Sequence, residues 1–107
     1  MPFVYLLRCR DGSLYAGAAK DLGARLLAHE RGKASRYTRA RLPVSLAYSR
    51  RVATWGAALR EEHRLKQLAK ATKEALVAAA RKRRKLRVES RRSASARGRS
   101  AANKEKQ

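Results

Sequence analysis

Acidic residues are scarce in this chain. Only 8 Asp and Glu stand against 28 Lys and Arg, for a net charge of +20 over 107 residues. That imbalance calls for a polyanionic partner, and nucleic acid is the first candidate. The excess is not confined to one end. Residues 81–107 hold 12 basic and 2 acidic residues, a net of +10, which leaves +10 for residues 1–80. Cysteine is scarcer still. The single Cys9 excludes an internal disulfide, argues against a secreted, disulfide-stapled fold, and leaves no partner for a zinc site. Cys9 therefore reads as a core residue. No apolar run reaches the length of a membrane span, so no membrane partner is expected. The opening MPFVYLLRC has no charged leader before a long apolar core and does not read as a signal peptide. A cytoplasmic location, with nucleoid association as a variant, is the expectation.

What is present fits one small domain with a modest core. Phe3–Cys9 is rich in aromatic and branched residues and predicts a strand. Arg10-Asp11-Gly12 is turn material, and Ser13–Ala18 predicts a second strand. A two-residue Asp-Gly turn would pair Arg8 with Tyr15 and put Tyr5 and Tyr15 on opposite faces. A three-residue loop with Gly12 in the left-handed region would pair Leu7 with Tyr15 and Tyr5 with Gly17, and both tyrosines then share a face. The three-residue loop is the expectation here. Val4, Leu6, Leu14, Ala16 and Ala18 would line the other face.

Asp21 predicts an N-cap for a helix to about Arg31, with Leu22 and Leu26 as its apolar stripe and Arg25 and His29 four apart on one face. Gly32–Leu42 is a basic loop without periodicity, ended by Pro43, and Val44–Ser49 alternates as a third strand that could extend to Val52. Thr54 predicts the cap of a helix from Trp55 to about Ala69, with Trp55, Ala58, Leu59, Glu62, Leu65 and Ala69 facing inward. Thr72 predicts the cap of a further helix through Leu76, Val77 and Ala80. From about Val88 the chain is Ser, Ala, Arg and Lys with almost no large apolar residue, a composition that predicts disorder. The fold class is therefore α+β. A small three-stranded antiparallel sheet flanked by helices fills residues 1–80, and a basic helical extension and disordered tail fill 81–107.

Glu62 is out of place in an apolar stripe, because a buried carboxylate costs several kcal/mol unless paired or bound to a cation. One reading is a salt bridge to Lys66 or Arg25, or a helix face rotated away from the core. The other is a ligand for a divalent metal. Mg²⁺ takes one or two carboxylates, keeps several waters and binds substrate phosphate. Arg25 and His29 are either solvated surface or, beside a phosphate, a charge clamp and a proton-transfer group. Tyr5 and Tyr15 either pack or act on protons. A phenol serves as a base only if its pKa, near 10, is lowered, and the basic surroundings favour that lowering. Lys33, Arg36, Arg39 and Arg41, with Tyr37 among them, read either as a solvated loop or as a nucleic-acid surface on which Tyr37 stacks.

Taken together these residues resemble the GIY-YIG endonuclease family, with short stand-alone YhbQ-type members as the near match. The first family signature corresponds to Phe3-Val4-Tyr5 and the second to Tyr15-Ala16-Gly17. The segment LYAGAAKDLGARLLAH resembles the family's strand–turn–helix, with its Arg at Arg25 and its His at His29. ALREEHRLKQL (Ala58–Leu68) is similar to the helix that carries the metal-binding glutamate, which falls at Glu62. Phe3 stands where the first signature has Gly, Glu30 follows the helix His where short members often have Asn, and the only Asn is Asn103. The resemblance implies a three-stranded antiparallel sheet with helices around it and metal-dependent hydrolysis of a phosphodiester bond. It implies that Glu62 holds one divalent cation, Mg²⁺ or Mn²⁺, and that Tyr5 is the general base, assisted by Tyr15. Arg25 would stabilise charge on the phosphate, and His29 would position the nucleophile or carry a proton. The expected activity is an endonuclease on DNA, on structured, nicked or branched repair intermediates. The alternatives are a non-catalytic nucleic-acid binder that keeps the fold, and a subunit to which a protein partner delivers substrate.

Overall fold

A computed structural model of the chain describes residues 1–98, with side chains over residues 1–86. Strand β1 (Phe3–Arg8) is the centre of a three-stranded antiparallel sheet in the order β2-β1-β3, with β2 at Leu14–Ala19 and β3 at Ser45–Arg51. Its central place explains its composition. Val4, Tyr5, Leu6 and Leu7 are all 0–1 % exposed, so the strand is covered on both faces and reads as a continuous apolar run. Cys9 is buried just beyond it, as a core residue.

The β1–β2 loop settles the register. Cys9 N–H donates to the Ser13 carbonyl, and Gly12, at φ +88°, closes a three-residue turn onto the Cys9 carbonyl. Tyr5 therefore pairs with Gly17 and Leu7 with Tyr15, and the two tyrosines share a face. On that face Tyr5, Leu7 and Ala19 pack with Tyr15, Leu22, Leu26 and Val44. On the other, Val4, Leu6, Leu14 and Ala16 are buried. Strand β3 pairs with β1 through a bulge between Leu6 and Leu7, and only Tyr48 of its residues is buried. It starts one residue later than its alternation predicts.

Helix α1 (Leu22–Glu30) starts where Asp21 Oδ1 accepts from the Ala24 N–H, and α3 (Trp55–Gln67) where Thr54 Oγ1 accepts from Ala57. Helix α3 packs on β1 and β2. Two residues of its expected inward stripe lie outward. Leu59 is 45 % exposed and Ala69 is also exposed, because Ala58 and Leu65, seven apart, define the buried line and Leu59 falls to its side. The basic loop is not featureless. Ser35 caps a four-residue helix α2 (Arg36–Arg39) by accepting from Thr38 N–H, a start signal too short to generate periodicity.

Helix α4 runs Lys70–Gly98. Thr72 lies inside it instead of capping it, because the Ala69 carbonyl already accepts from the Thr72 and Lys73 N–H groups. The α4 backbone is helical to Gly98, through the basic helical extension expected after residue 80. The rest of the expected tail, 99–107, lies outside the described residues. The chain divides into a unit of Met1–Val77 and a second that begins at Ala78. Within the first, Arg8 grips Glu74 with both guanidinium nitrogens (2.6 Å from Nη2), and Lys70 reaches Glu74 and the Gly12 carbonyl (2.6 and 3.0 Å). These bonds tie the start of α4 to the hairpin. No described helix is long and apolar enough to cross a membrane.

Candidate active site

Tyr5 occupies its position because Gly17 has no side chain. A Cβ there would stand 2.5 Å from Tyr5 Cζ, so the ring lies across the Gly17 backbone. From this position the phenol reaches His29 in the last turn of α1, with Oη 2.9 Å from Nε2. His29 is 1 % exposed, and its Nδ1 lies 2.9 Å from Oγ1 of the fully buried Thr38. Thr38 Oγ1 donates to the Ser35 carbonyl at 3.3 Å, so it meets His29 as an acceptor. One tautomer satisfies the whole chain of bonds: Nδ1–H donates to Thr38, and Nε2 accepts from the Tyr5 hydroxyl. The imidazole edge also meets the Tyr5 and Tyr15 rings, with centroids 5.8 and 5.4 Å away.

Arg25, on the same face of α1 but exposed, and Glu62, half-buried on α3, act on this pair by charge. Burial pushes the Tyr5 phenol well above its ordinary value of 10. Tyr15 and Glu62 add to the rise, and Arg25 opposes it. The basic composition predicts a lowered phenol pKa. The structure reverses that expectation, because desolvation inside the fold outweighs cations spread over its surface. Burial, with Arg25 beside it, holds His29 below 6.5, so the imidazole is neutral and keeps a lone pair for the Tyr5 proton.

Glu62 forms an ion pair with Lys66 at 3.0 Å, the bond that periodicity offers as one explanation for an acid on this helix face. Its negative charge also adds to the rise of the Tyr5 pKa, as the smallest of the causes. Among the described residues no three His, Cys, Asp or Glu cluster as metal ligands. A single carboxylate such as Glu62 fits a hard divalent cation that takes its remaining ligands from water and phosphate. Both His29 nitrogens are engaged by Tyr5 and Thr38, which leaves the imidazole unavailable as a ligand.

Tyr37 does not stand free. Its ring stacks on Tyr15 at 5.8 Å, the Arg41 guanidinium lies 3.7 Å above it, and its hydroxyl donates to Ser13 Oγ at 2.7 Å. Arg41 in turn pairs with Asp11 at 3.0 Å. Of the five residues expected to meet nucleic acid, Lys33, Arg36 and Arg39 are exposed, while Tyr37 and Arg41 brace α2 against the hairpin. Thr38 is the site residue that sequence reasoning misses. Its one local sign is the Ser35-x-x-Thr38 cap, which says nothing of a bond to a histidine nine residues earlier.

A profile described as the GIY-YIG catalytic domain matches residues 1–75. The chain belongs to the GIY-YIG family. A UPF0213 protein of Staphylococcus epidermidis is 47% identical over 64 residues, which cover 60% of this chain and 78% of that protein. One from Bacillus velezensis is 49% identical over 72 residues, 67% and 73% of the two chains. A solution NMR structure of a UPF0213 protein from Bacillus halodurans matches with TM-score 0.49 and 38% identity over 74% of this chain and 85% of that one. The GIY-YIG domain is a nuclease domain, and nucleases of this family are generally metal-dependent. Of the five expected site residues, Tyr5, Tyr15 and His29 meet directly, while Arg25 and Glu62 bear on Tyr5 by charge.

Proposed function

We propose that this GIY-YIG domain is an endonuclease that hydrolyses phosphodiester bonds in DNA, on structured or damaged repair intermediates, with Mg²⁺ or Mn²⁺ held at Glu62. The observation that carries the reading is the buried Tyr5–His29 hydrogen bond, oriented with Nε2 as acceptor, in electrostatic reach of Arg25 and Glu62. A phenol with a raised pKa is a poor base by itself. Linked to a neutral imidazole, it can take a proton from the attacking water as its own proton passes to His29 Nε2, so a free phenolate never has to form. Thr38 Oγ1 supports the imidazolium through Nδ1–H. Arg25, exposed at the rim, meets the charge that grows on the phosphate. Glu62 would hold the divalent cation, which would supply Lewis-acid neutralisation of charge on the phosphate.

The test is Mg²⁺- or Mn²⁺-dependent cleavage of nicked, branched and single-stranded DNA by the purified chain, alongside Glu62→Ala. Cleavage by the native protein only, abolished by chelation, is the expected result. Equal cutting by both proteins, or none by either, removes the catalytic claim. The Lys66–Glu62 pair gives the non-catalytic binder its support, since it satisfies the carboxylate without metal. That alternative predicts salt-sensitive DNA binding that Glu62→Ala leaves unchanged. Weak cleavage that rises in cell extract would point instead to a partner that delivers substrate.

A further inference from the structure

Beside the Tyr5–His29 pair lies a second feature that the proton relay does not use. A cavity of about 420 Å³ opens between the end of β2 and the starts of α1 and α3. Ala19, Ala24 and Ala28 form its low walls, and Trp55, Lys20 and Arg25 stand around it. Its size falls in the range of small-ligand sites, roughly 300–1,000 Å³. Asp21 also borders it, but Oδ1 is engaged by the Ala24 N–H as the helix cap. Lys20 and Arg25 against Asp21 leave the balance of charge at the cavity cationic.

Three features define what would fit. Trp55 offers the widest aromatic surface in the chain, and it is the only Trp. The Lys20 ammonium lies over that ring, 5.2 Å from its centroid. Arg25 belongs both to the cavity and to the group of charges acting on Tyr5 and His29. A flat aromatic surface, a mobile cation above it and a guanidinium shared with a proposed phosphate site suit one ligand class: a nucleotide whose base lies on the indole and whose phosphate meets Arg25. Three alanines keep the floor open where larger side chains would fill it.

We infer that this cavity is a subsite for an unstacked nucleobase next to the scissile phosphate, with Trp55 as its stacking surface and Lys20 as a cation that moves from the ring to the neighbouring backbone phosphate. The inference rests on the nucleic-acid reading above and adds a preference for single-stranded or opened DNA at the cut. Exchange at the ring is favourable in direction. The exposed Lys20 ammonium is held weakly over the ring, whereas a base stacked on an aromatic side chain is a principal source of single-strand affinity.

Trp55 is its own probe. The full chain, without divalent metal, is titrated with a single strand of about 12 thymidylates, a length that single-strand sites accommodate. A strand of equal length and charge made only of abasic deoxyribose phosphate is the comparison. The thymidylate strand should quench Trp55 emission by about half or more, and the abasic strand should bind without quenching. Trp55→Ala should weaken thymidylate binding about tenfold and leave abasic binding unchanged. Ala28→Leu, which narrows the cavity and keeps the indole, should weaken thymidylate binding in the same sense, so a folding defect in one variant does not decide the matter. Equal binding and equal emission with both strands overturn the subsite and leave phosphate binding intact. Binding of neither strand overturns the subsite together with the nucleic-acid reading.

Discussion

Tyr5 and His29 meet through a 2.9 Å hydrogen bond at a point where each residue is 1 % exposed. Loss of either partner leaves the other without its bond inside the fold. Tyr5→Phe keeps the ring over Gly17 and removes only the hydroxyl, leaving His29 Nε2 buried without a donor. The expected cost is about 1–3 kcal/mol. In thermal melts that is a drop of ~4–8 °C for each kcal/mol in a domain of this size. Cleavage should fall by roughly 10²–10⁴, the range of a positioned proton-transfer group. A variant that cuts at the native rate would remove Tyr5 from the proton path.

Thr38→Val tests the other end of the same chain of bonds. The side chains are nearly isosteric, so the change leaves the His29 Nδ1–H unpaired in a site that is 0 % exposed at Thr38, again at about 1–3 kcal/mol. Without that acceptor the imidazole gains by moving its proton to Nε2, which reverses the bond to Tyr5 and removes the acceptor the relay needs. Nitrogen NMR shifts of His29 should report the tautomer change, and cleavage should fall about tenfold or more. Thr38→Ser should restore both. Native tautomer and native rate in the valine variant would make Thr38 a packing residue only.

The parts of this site that the sequence reveals are those set by local chemistry. Asp11-Gly12 marks a turn with two possible registers, and the three-residue loop among them puts Tyr5 and Tyr15 on one face. Asp21 and Thr54 announce helices because a capping oxygen precedes an amphipathic run. What stays hidden depends on partners far away in the chain. Thr38 binds a histidine on another helix. Tyr37, set in a loop without periodicity, stacks on Tyr15 across the fold while staying 36 % exposed. The Tyr5 pKa rises where net charge predicts a fall, since the depth of burial is a property of tertiary packing and not of residue counts.

Gly17→Ala separates backbone freedom from close approach. An added Cβ would lie 2.5 Å from Tyr5 Cζ, so the ring must leave its place or the strands must part. Overpacking of this kind costs about 1–3 kcal/mol. Gly23→Ala is the contrasting control. It lies in α1, where the nearest neighbour of a new Cβ is Asp21 Oδ1 at an ordinary 3.7 Å, and it should stabilise by about 0.5–1 kcal/mol. Melting temperatures should therefore move in opposite directions, and only Gly17→Ala should lose cleavage.

Acid should weaken both the fold and its activity through His29. Its folded pKa is below the unfolded value of 6.5, so the unfolded chain takes up the proton first. The stability tied to the neutral imidazole is whole above pH 6.5 and is lost as pH falls toward the lowered folded value. Melting temperature followed from pH 7.5 to about 5 should decline more steeply in the native protein than in His29→Asn, which carries no proton in that range. Cleavage should fall on the same limb as Nε2 ceases to accept.

Glu62 and Lys66 give opposite predictions for metal dependence. Glu62→Gln keeps the shape of the side chain and removes its charge, losing the 3.0 Å pair with Lys66. A half-exposed pair of this kind contributes about 0–1 kcal/mol, so the melting temperature should hardly change. Cleavage should fall at least about 10²-fold, since a glutamine oxygen is a poor ligand for a hard cation and leaves the phosphate charge unmet. Lys66→Ala removes the competitor and leaves the carboxylate. If Glu62 holds Mg²⁺ or Mn²⁺, this variant should reach half-maximal cleavage at a lower metal concentration than the native chain. If the pair is only a surface salt bridge, the metal titration of Lys66→Ala should overlay that of the native protein, and the glutamine variant should cut normally. The two titrations together decide which cation Glu62 serves.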